Sequence, residues 1–247
     1  MSNQLEKEVI YVAELDADVD DVVAAEYLHN KGVLRCVVLD PLPETEQGKE
    51  RMKMLEKLGI TICTEIPEHA KYVFIGGALT EVARYIEDKS IEVLVMNGGF
   101  VGTNIVSPKH QLKKFSGKET VRTFNFNCDV QATDKVLRST EQQIGKIILI
   151  GKNVCHSERN TETDLWNDTK SKKLFAKYHV RAGKCQHDML ACHEGLAHLS
   201  LGGVKIPYCT YLTVHPYNEG LNKTMTKWGS KKESTEYREV VAAITLL

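Results

Sequence analysis

The sequence predicts an α/β fold: a mostly parallel central sheet flanked by helices, open and Rossmann-like. Three observations carry this. Short apolar runs rich in β-formers alternate with helix-forming segments. Two predicted helices close on glycine, Gly32 and Gly59, the usual residue of a helix stop. Polar or glycine-rich stretches follow directly after the apolar runs, where open parallel sheets carry their ligands.

Residues 8–15 (EVIYVAEL) read as a buried strand, since parallel strands covered on both faces are apolar without alternation. An acidic turn follows, then a helix from Val22 to Gly32 with Lys31 near its end. Residues 33–39 (VLRCVVL) form the second strand, broken by Pro41 and Pro43. Glu44 to Leu58 is helical and ends at Gly59. ITIC (60–63), YVFIG (72–76) and IEVLVM (91–96) are strands, with a helix from Leu79 to Asp88 between the last two. This rhythm is that of right-handed βαβ units. Val130–Gln142 reads as a helix, KIILIG (146–151) as a strand, and 164–179 and 187–199 as helical. The segments 207–215 and 236–246 are β-rich. With no repeat or long linker, residues 1–247 are expected to form a single domain.

Composition narrows the function classes. Lys and Arg number 32 against 33 Asp and Glu, a net charge of −1. Nothing in this balance favours a nucleic-acid partner, which needs excess positive charge to neutralise phosphates. The polar start MSNQLEKEV does not read as a signal peptide, and no apolar run approaches the roughly 18 residues that span a bilayer. Seven scattered cysteines without a CxxC pair read as reduced core residues, and the expected location is the cytoplasm.

The sharpest feature is Glu14-Leu-Asp16-Ala-Asp18-Val-Asp20-Asp21, with four aspartates in six residues after a strand. Helix capping accounts for one or two of them. Four call for a cation, and oxygen ligands suit a hard divalent ion such as Ca²⁺, or Mg²⁺ as the alternative. An EF-hand loop is excluded, because its glycine position is Asp21 and its final glutamate position is Tyr27. Asp16-Ala-Asp18-Val19 fits the DxDx[TV] signature of haloacid dehalogenase phosphatases, with Asp16 as nucleophile and Asp18 as acid/base. The acidic pair this signature needs later in the chain is missing unless His187-Asp188 supplies it.

The turn also resembles the DxDxGxDD turn of the nucleoside hydrolase family, whose members cleave the N-glycosidic bond of ribonucleosides with Ca²⁺. Four more segments follow in the family's order: VFIGGALTEVA (73–83), VLVMNGGFVGTN (93–104), TFNFNCDVQAT (123–133) and QHDMLA (186–191). The β-rich tail with LTVHPYNEGLNKTMT (212–226) is similar to the family's last strands. The resemblance implies metal ligands at Asp16, Asp21, Asp188 and the Thr80 carbonyl, with Asp16 also the general base toward water. It implies ribose contacts from Asp20, Asp40, Met96, Asn104 and Asn125, and His187 as an aid to the leaving base. It implies a small nucleoside or ribosyl substrate, a place in purine or pyrimidine salvage and, by analogy, a homo-oligomer. Three features depart from the pattern: the family's glutamate before FN is Thr123, its ribose-binding asparagine is Asp40, and segment 64–71 is too short for a lid. These departures keep open a non-catalytic ribose- or nucleoside-binding relative, since fold alone does not settle function.

Overall fold

A computed structural model describes residues 7–103, 106–157, 186–200, 212–215, 225–228 and 237–245. Seven strands form one parallel sheet: β1 (Val9–Ala13), β2 (Leu34–Leu39), β3 (Ile62–Cys63), β4 (Ala70–Ile75), β5 (Ile91–Asn97), β6 (Ile144–Ile150) and β9 (Val241–Ala243). Their order is β3-β2-β1-β4-β5-β6-β9, and every pairing is parallel. β7 (Leu212–His215) and β8 (Met225–Trp228) pair antiparallel as a separate ribbon. The helices are α1 (Asp20–Asn30), α2 (Glu46–Lys57), α3 (Thr80–Tyr85), α4 (Phe124–Cys128), α5 (Val130–Leu137), α6 (Lys152–Cys155) and α7 (His187–Ser200). No helix among the described residues is long and apolar enough to cross a membrane.

Each face of the sheet has its own core. Ile10, Val12, Val73, Leu94 and Ile147 pack with Val82, Ala83, Val136 and Leu137 on the α3/α5 face. Tyr11, Val37, Phe74, Val95 and Ile148 pack with Val22, Leu28, Leu55, Val154 and Met189 on the other. The two-residue alternation within buried strands therefore sends neighbouring side chains to opposite cores.

Strand order reverses direction at β1: the chain first builds outward through β2 and β3, then returns to β4 on the other side. The crevice beyond the carboxyl ends of β1 and β4 is the topological switch point, where such sheets bind ligands.

Several boundaries differ from those the sequence predicts. α1 begins at Asp20, not Val22, so both aspartates lie in its first turn. α5 stops at Leu137, because Ser139 N–H and Arg138 N–H close it and Thr140 and Gln143 form a turn before β6. β6 starts two residues early, since Ile144 already pairs with Ile91. β3 is reduced to the two residues that reach β2. The helix expected near 164–179 lies outside the described residues.

Asp129 accepts from Ala132 N–H at 2.9 Å, capping α5, and from the Thr80 hydroxyl at 3.0 Å. This one carboxylate ties α3 to α5. Asp129→Ala is expected to lower stability by about 1 kcal/mol, the usual cost of a lost N-cap, measured by urea unfolding.

Candidate metal centre

Asp20, Asp21 and Asp188 are buried, and one oxygen from each lies within 4.8 Å of the others. The first two open α1 after β1; the third opens α7, which packs against α1 and β5. Helix N-termini carry partial positive charge, which favours carboxylates at both places. That does not offset three buried charges so close together: an ionised pair near 4 Å repels by about 4 kcal/mol at an effective dielectric of about 20.

The surroundings hold the carboxylates in place. The Tyr11 hydroxyl donates to Asp21 Oδ1 at 2.6 Å. Asn97 Nδ2 donates to Asp188 Oδ1 at 2.5 Å. Asp20 Oδ1 is buried with no hydrogen-bond partner among the described residues. Burial, then Asp188, pushes Asp20 well above its ordinary value; burial, then Asp20, does the same to Asp21. An orphaned buried oxygen beside two other carboxylates fits the donor set of a hard divalent cation. Cys155 and Cys192 lie close by, and burial first and Asp188 next push both thiols up, so neither is activated as a nucleophile.

Asp16 takes a different place. Its carboxylate accepts from Glu44 N–H at 2.8 Å, Thr45 N–H at 3.2 Å and the Thr45 hydroxyl at 2.6 Å. It sits over the start of α2, where a Cβ on Gly48 would come within 2.0 Å of Asp16 Oδ1. Below it Arg51, 3% exposed, donates to the carbonyls of Leu15 and Asp16. Partial burial pushes Asp16 up, but the Thr45 and Glu44 donors outweigh it and hold the carboxyl below its ordinary range. The residue expected to be both ligand and base thus fastens the acidic turn to α2, outside the three-aspartate group. Asp18, the second residue of the phosphatase signature, accepts from Val19 N–H at 2.7 Å. Asp188 joins Asp20 and Asp21 instead.

The other expected residues divide. His187 opens α7 beside His156, ring centroids 4.4 Å apart. Asn125 Nδ2 donates to the carbonyls of Gly76 and Asn97 at 2.7 and 2.8 Å, joining the ends of β4 and β5. Asp40 follows β2, and its charge helps raise Glu14, whose shift comes first from burial and next from Asp16. Met96, expected against a sugar, is 1% exposed within the α3/α5 core. The pleat explains it: Asn97, one residue on, turns to the opposite face and reaches Asp188. Thr80 opens α3 and spends its hydroxyl on Asp129. Asn104 lies outside the described residues.

Next to the aspartates is a small cleft of about 60 Å³, lined by Asn97, Thr123, Phe124, Asn125, Lys152, His156 and His187 among others. Phe124 is 57% exposed at its rim. Burial first and then Lys152 push His156 down to about 3, so its imidazole is neutral at neutral pH. Asn97, Lys152 and His156 were absent from the residues singled out in the sequence. A signal existed for two of them: Lys152 and His156 follow β6 at its carboxyl end, as the acidic turn follows β1.

No family model matches the sequence. An uncharacterized protein of Aquifex aeolicus (strain VF5) is 32% identical over 128 residues, which cover 48% of this chain. That match spans 43% of the relative's length. Among solved structures, an inosine-guanosine nucleoside hydrolase (IG-NH) superposes with a TM-score of 0.55 at 14% identity, covering 97% of this chain and 94% of that one. The fold is nucleoside hydrolase-like, a parallel seven-stranded sheet between helices; in this chain three buried aspartates gather near the switch point.

Proposed function

We propose that the protein is a divalent-cation-dependent hydrolase of the N-glycosidic bond of a nucleoside or related ribosyl compound. The observation that carries this reading is the buried Asp20–Asp21–Asp188 group with an orphaned Asp20 oxygen, at the switch point of a nucleoside hydrolase-like fold. The three aspartates would hold Ca²⁺, with the Thr80 carbonyl as the expected further oxygen. A bound cation supplies the means to position sugar hydroxyls and attacking water.

The chain's own residues do the rest. Carboxylates near the sugar stabilise the oxocarbenium-like transition state in which the C1′–N bond lengthens. Water oxygen bonds to C1′, the C1′–N electron pair leaves with the nucleobase, and the proton lost by water ends on that base. His187 is the residue we assign to ease base departure, since it opens α7 next to Asp188 and lines the cleft. Tyr11 and Asn97 keep the carboxylates oriented through their hydrogen bonds. Asp40 at the end of β2, and Asn125 of α4, whose side chain bridges the ends of β4 and β5, stand where sugar contacts would form.

The test is release of free sugar or sugar phosphate from a panel of ribonucleosides and related ribosyl compounds with and without Ca²⁺, repeated in Asp20→Asn. Cation-dependent cleavage lost in the variant is expected; no cleavage of any member removes the reading. A second reading, a ribose- or nucleoside-binding relative without catalysis, is favoured by one observation: the three donors that occupy Asp16. Asp16→Ala separates the roles. A base would cost roughly 10²–10⁴-fold in rate. A turn clamp would cost about 1 kcal/mol of stability and leave cleavage in place.

A further inference from the structure

Lys152 opens α6 at the end of β6 and lines the cleft beside the aspartates. Its Nζ lies 3.1 Å from His156 Nε2, and it has no carboxylate within ion-pair reach among the described residues. A lysine ammonium has three N–H donors, and a neutral imidazole accepts one of them. Burial pushes Lys152 below its ordinary value and, against the Cys155 sulfur, Lys114 and Arg122 add to it. Both of those cations are exposed, on the stretch that leads to Thr123. This end of the cleft is therefore positive, while the opposite side, reached through Asn97, is the acidic metal centre.

A partly buried cation with no counter-charge among the described residues favours an anionic ligand over a neutral one. A ligand that answers both ends carries hydroxyls for a metal centre and an anion for the lysine. On the reading proposed above, the hydroxyls are those of a ribose, and the anion is carried on the same ribosyl ligand. We propose that the substrate is a 5′-phosphorylated ribosyl compound, a ribonucleoside 5′-monophosphate, with Lys152 as the phosphate contact that sets this specificity. The buried Thr123 lines the same cleft and brings no negative charge to it, which a phosphate tolerates. The inference rests on the hydrolase reading for its chemistry but not for its anion site.

The experiment compares kcat/KM for the common ribonucleosides with their 5′-monophosphates, in the Ca²⁺-loaded full chain. The monophosphate is expected to be favoured by about tenfold or more, the usual scale of one charge-assisted contact. Lys152→Met is expected to bring the ratio of the two to near one, and Lys152→Arg to keep it. Equal or better cleavage of the nucleoside by the unaltered protein overturns the proposal, as does a ratio unmoved in Lys152→Met. If neither class is cleaved, the hydrolase reading fails, and calorimetry with ribose 5-phosphate against ribose decides the anion site. Tighter binding of the phosphate, lost in Lys152→Met and kept in Lys152→Arg, upholds it; equal binding or none overturns it.

Discussion

Adding Ca²⁺ or Mg²⁺ to chelator-treated protein is expected to raise its melting temperature, and to raise it more near neutral pH than in mild acid. Asp20 and Asp21 have folded-state pKa values well above the ordinary 3.8, from burial first and then from Asp188 and Asp20 respectively. With the folded values raised, the metal-free native state binds more protons than the unfolded chain. Its stability from these groups is fully present below about pH 4 and is lost as pH rises through the folded values. A cation takes the ionised carboxylates and releases those protons, so it restores stability where the loss is largest. At a hundredfold excess over Kd this contributes about 2.7 kcal/mol, or roughly 5–10 °C for a domain of this size. Asp188→Asn is expected to abolish the thermal response and lower any cleavage at least about a hundredfold. Asn97→Ala, which removes only the Asp188 partner, is expected to weaken cation affinity by about 10–100-fold. A melting temperature indifferent to cations from acid to neutral pH would remove the metal centre from the account.

Gly76→Ala is expected to damage the same centre from the sheet side. A Cβ at Gly76 would lie 2.1 Å from Tyr11 Oη and 2.2 Å from Asp21 Oδ1. Tyr11 is 1% exposed and its ring cannot withdraw, so the strand end or the Asp21 side chain must shift. Overpacking of this kind costs about 1–3 kcal/mol, roughly 2–12 °C in melting temperature. The cation response should shrink with it, because Asp21 is displaced. Tyr11→Phe in the same chain removes one of the two clashing atoms. The double variant is therefore expected to regain part of the stability but not the cation response, a non-additivity that thermal melts with and without Ca²⁺ read directly. Full recovery of both would place the strain elsewhere.

Much of this architecture is legible in the chain itself. The apolar runs at 8–15, 33–39, 72–76 and 91–96 are strands because parallel strands covered on both sides need no polar face. Helices closing at Gly32 and Gly59 follow from the positive φ values, 72° and 74°, that glycine adopts there. The cluster of acids after β1 marks the place of a candidate metal group, but of its four aspartates Asp16 and Asp18 accept from backbone N–H groups, Asp16 also from the Thr45 hydroxyl, and only Asp20 and Asp21 enter that group. Asp188 is identifiable as their distant partner only through the resemblance of QHDMLA to a family motif.

Sequence by itself determined the alternation of strands and helices from β1 to β5, the apolar character of the buried strands, and the end of the sheet after β1 where acidic groups collect. Those are short-range properties: period, propensity and turn chemistry act over a few residues. Which carboxylates converge was decided by tertiary structure. Docking of α2 beneath the acidic turn takes Asp16 to Thr45 and Gly48, while packing of α7 on α1 brings Asp188 to Asp20 and Asp21. The pleat at the end of β5 sends Met96 into one core and Asn97 to Asp188 of the three-aspartate group. Convergence of groups more than 160 residues apart depends on helix docking and on strand register, and neither is written in any local window of the chain.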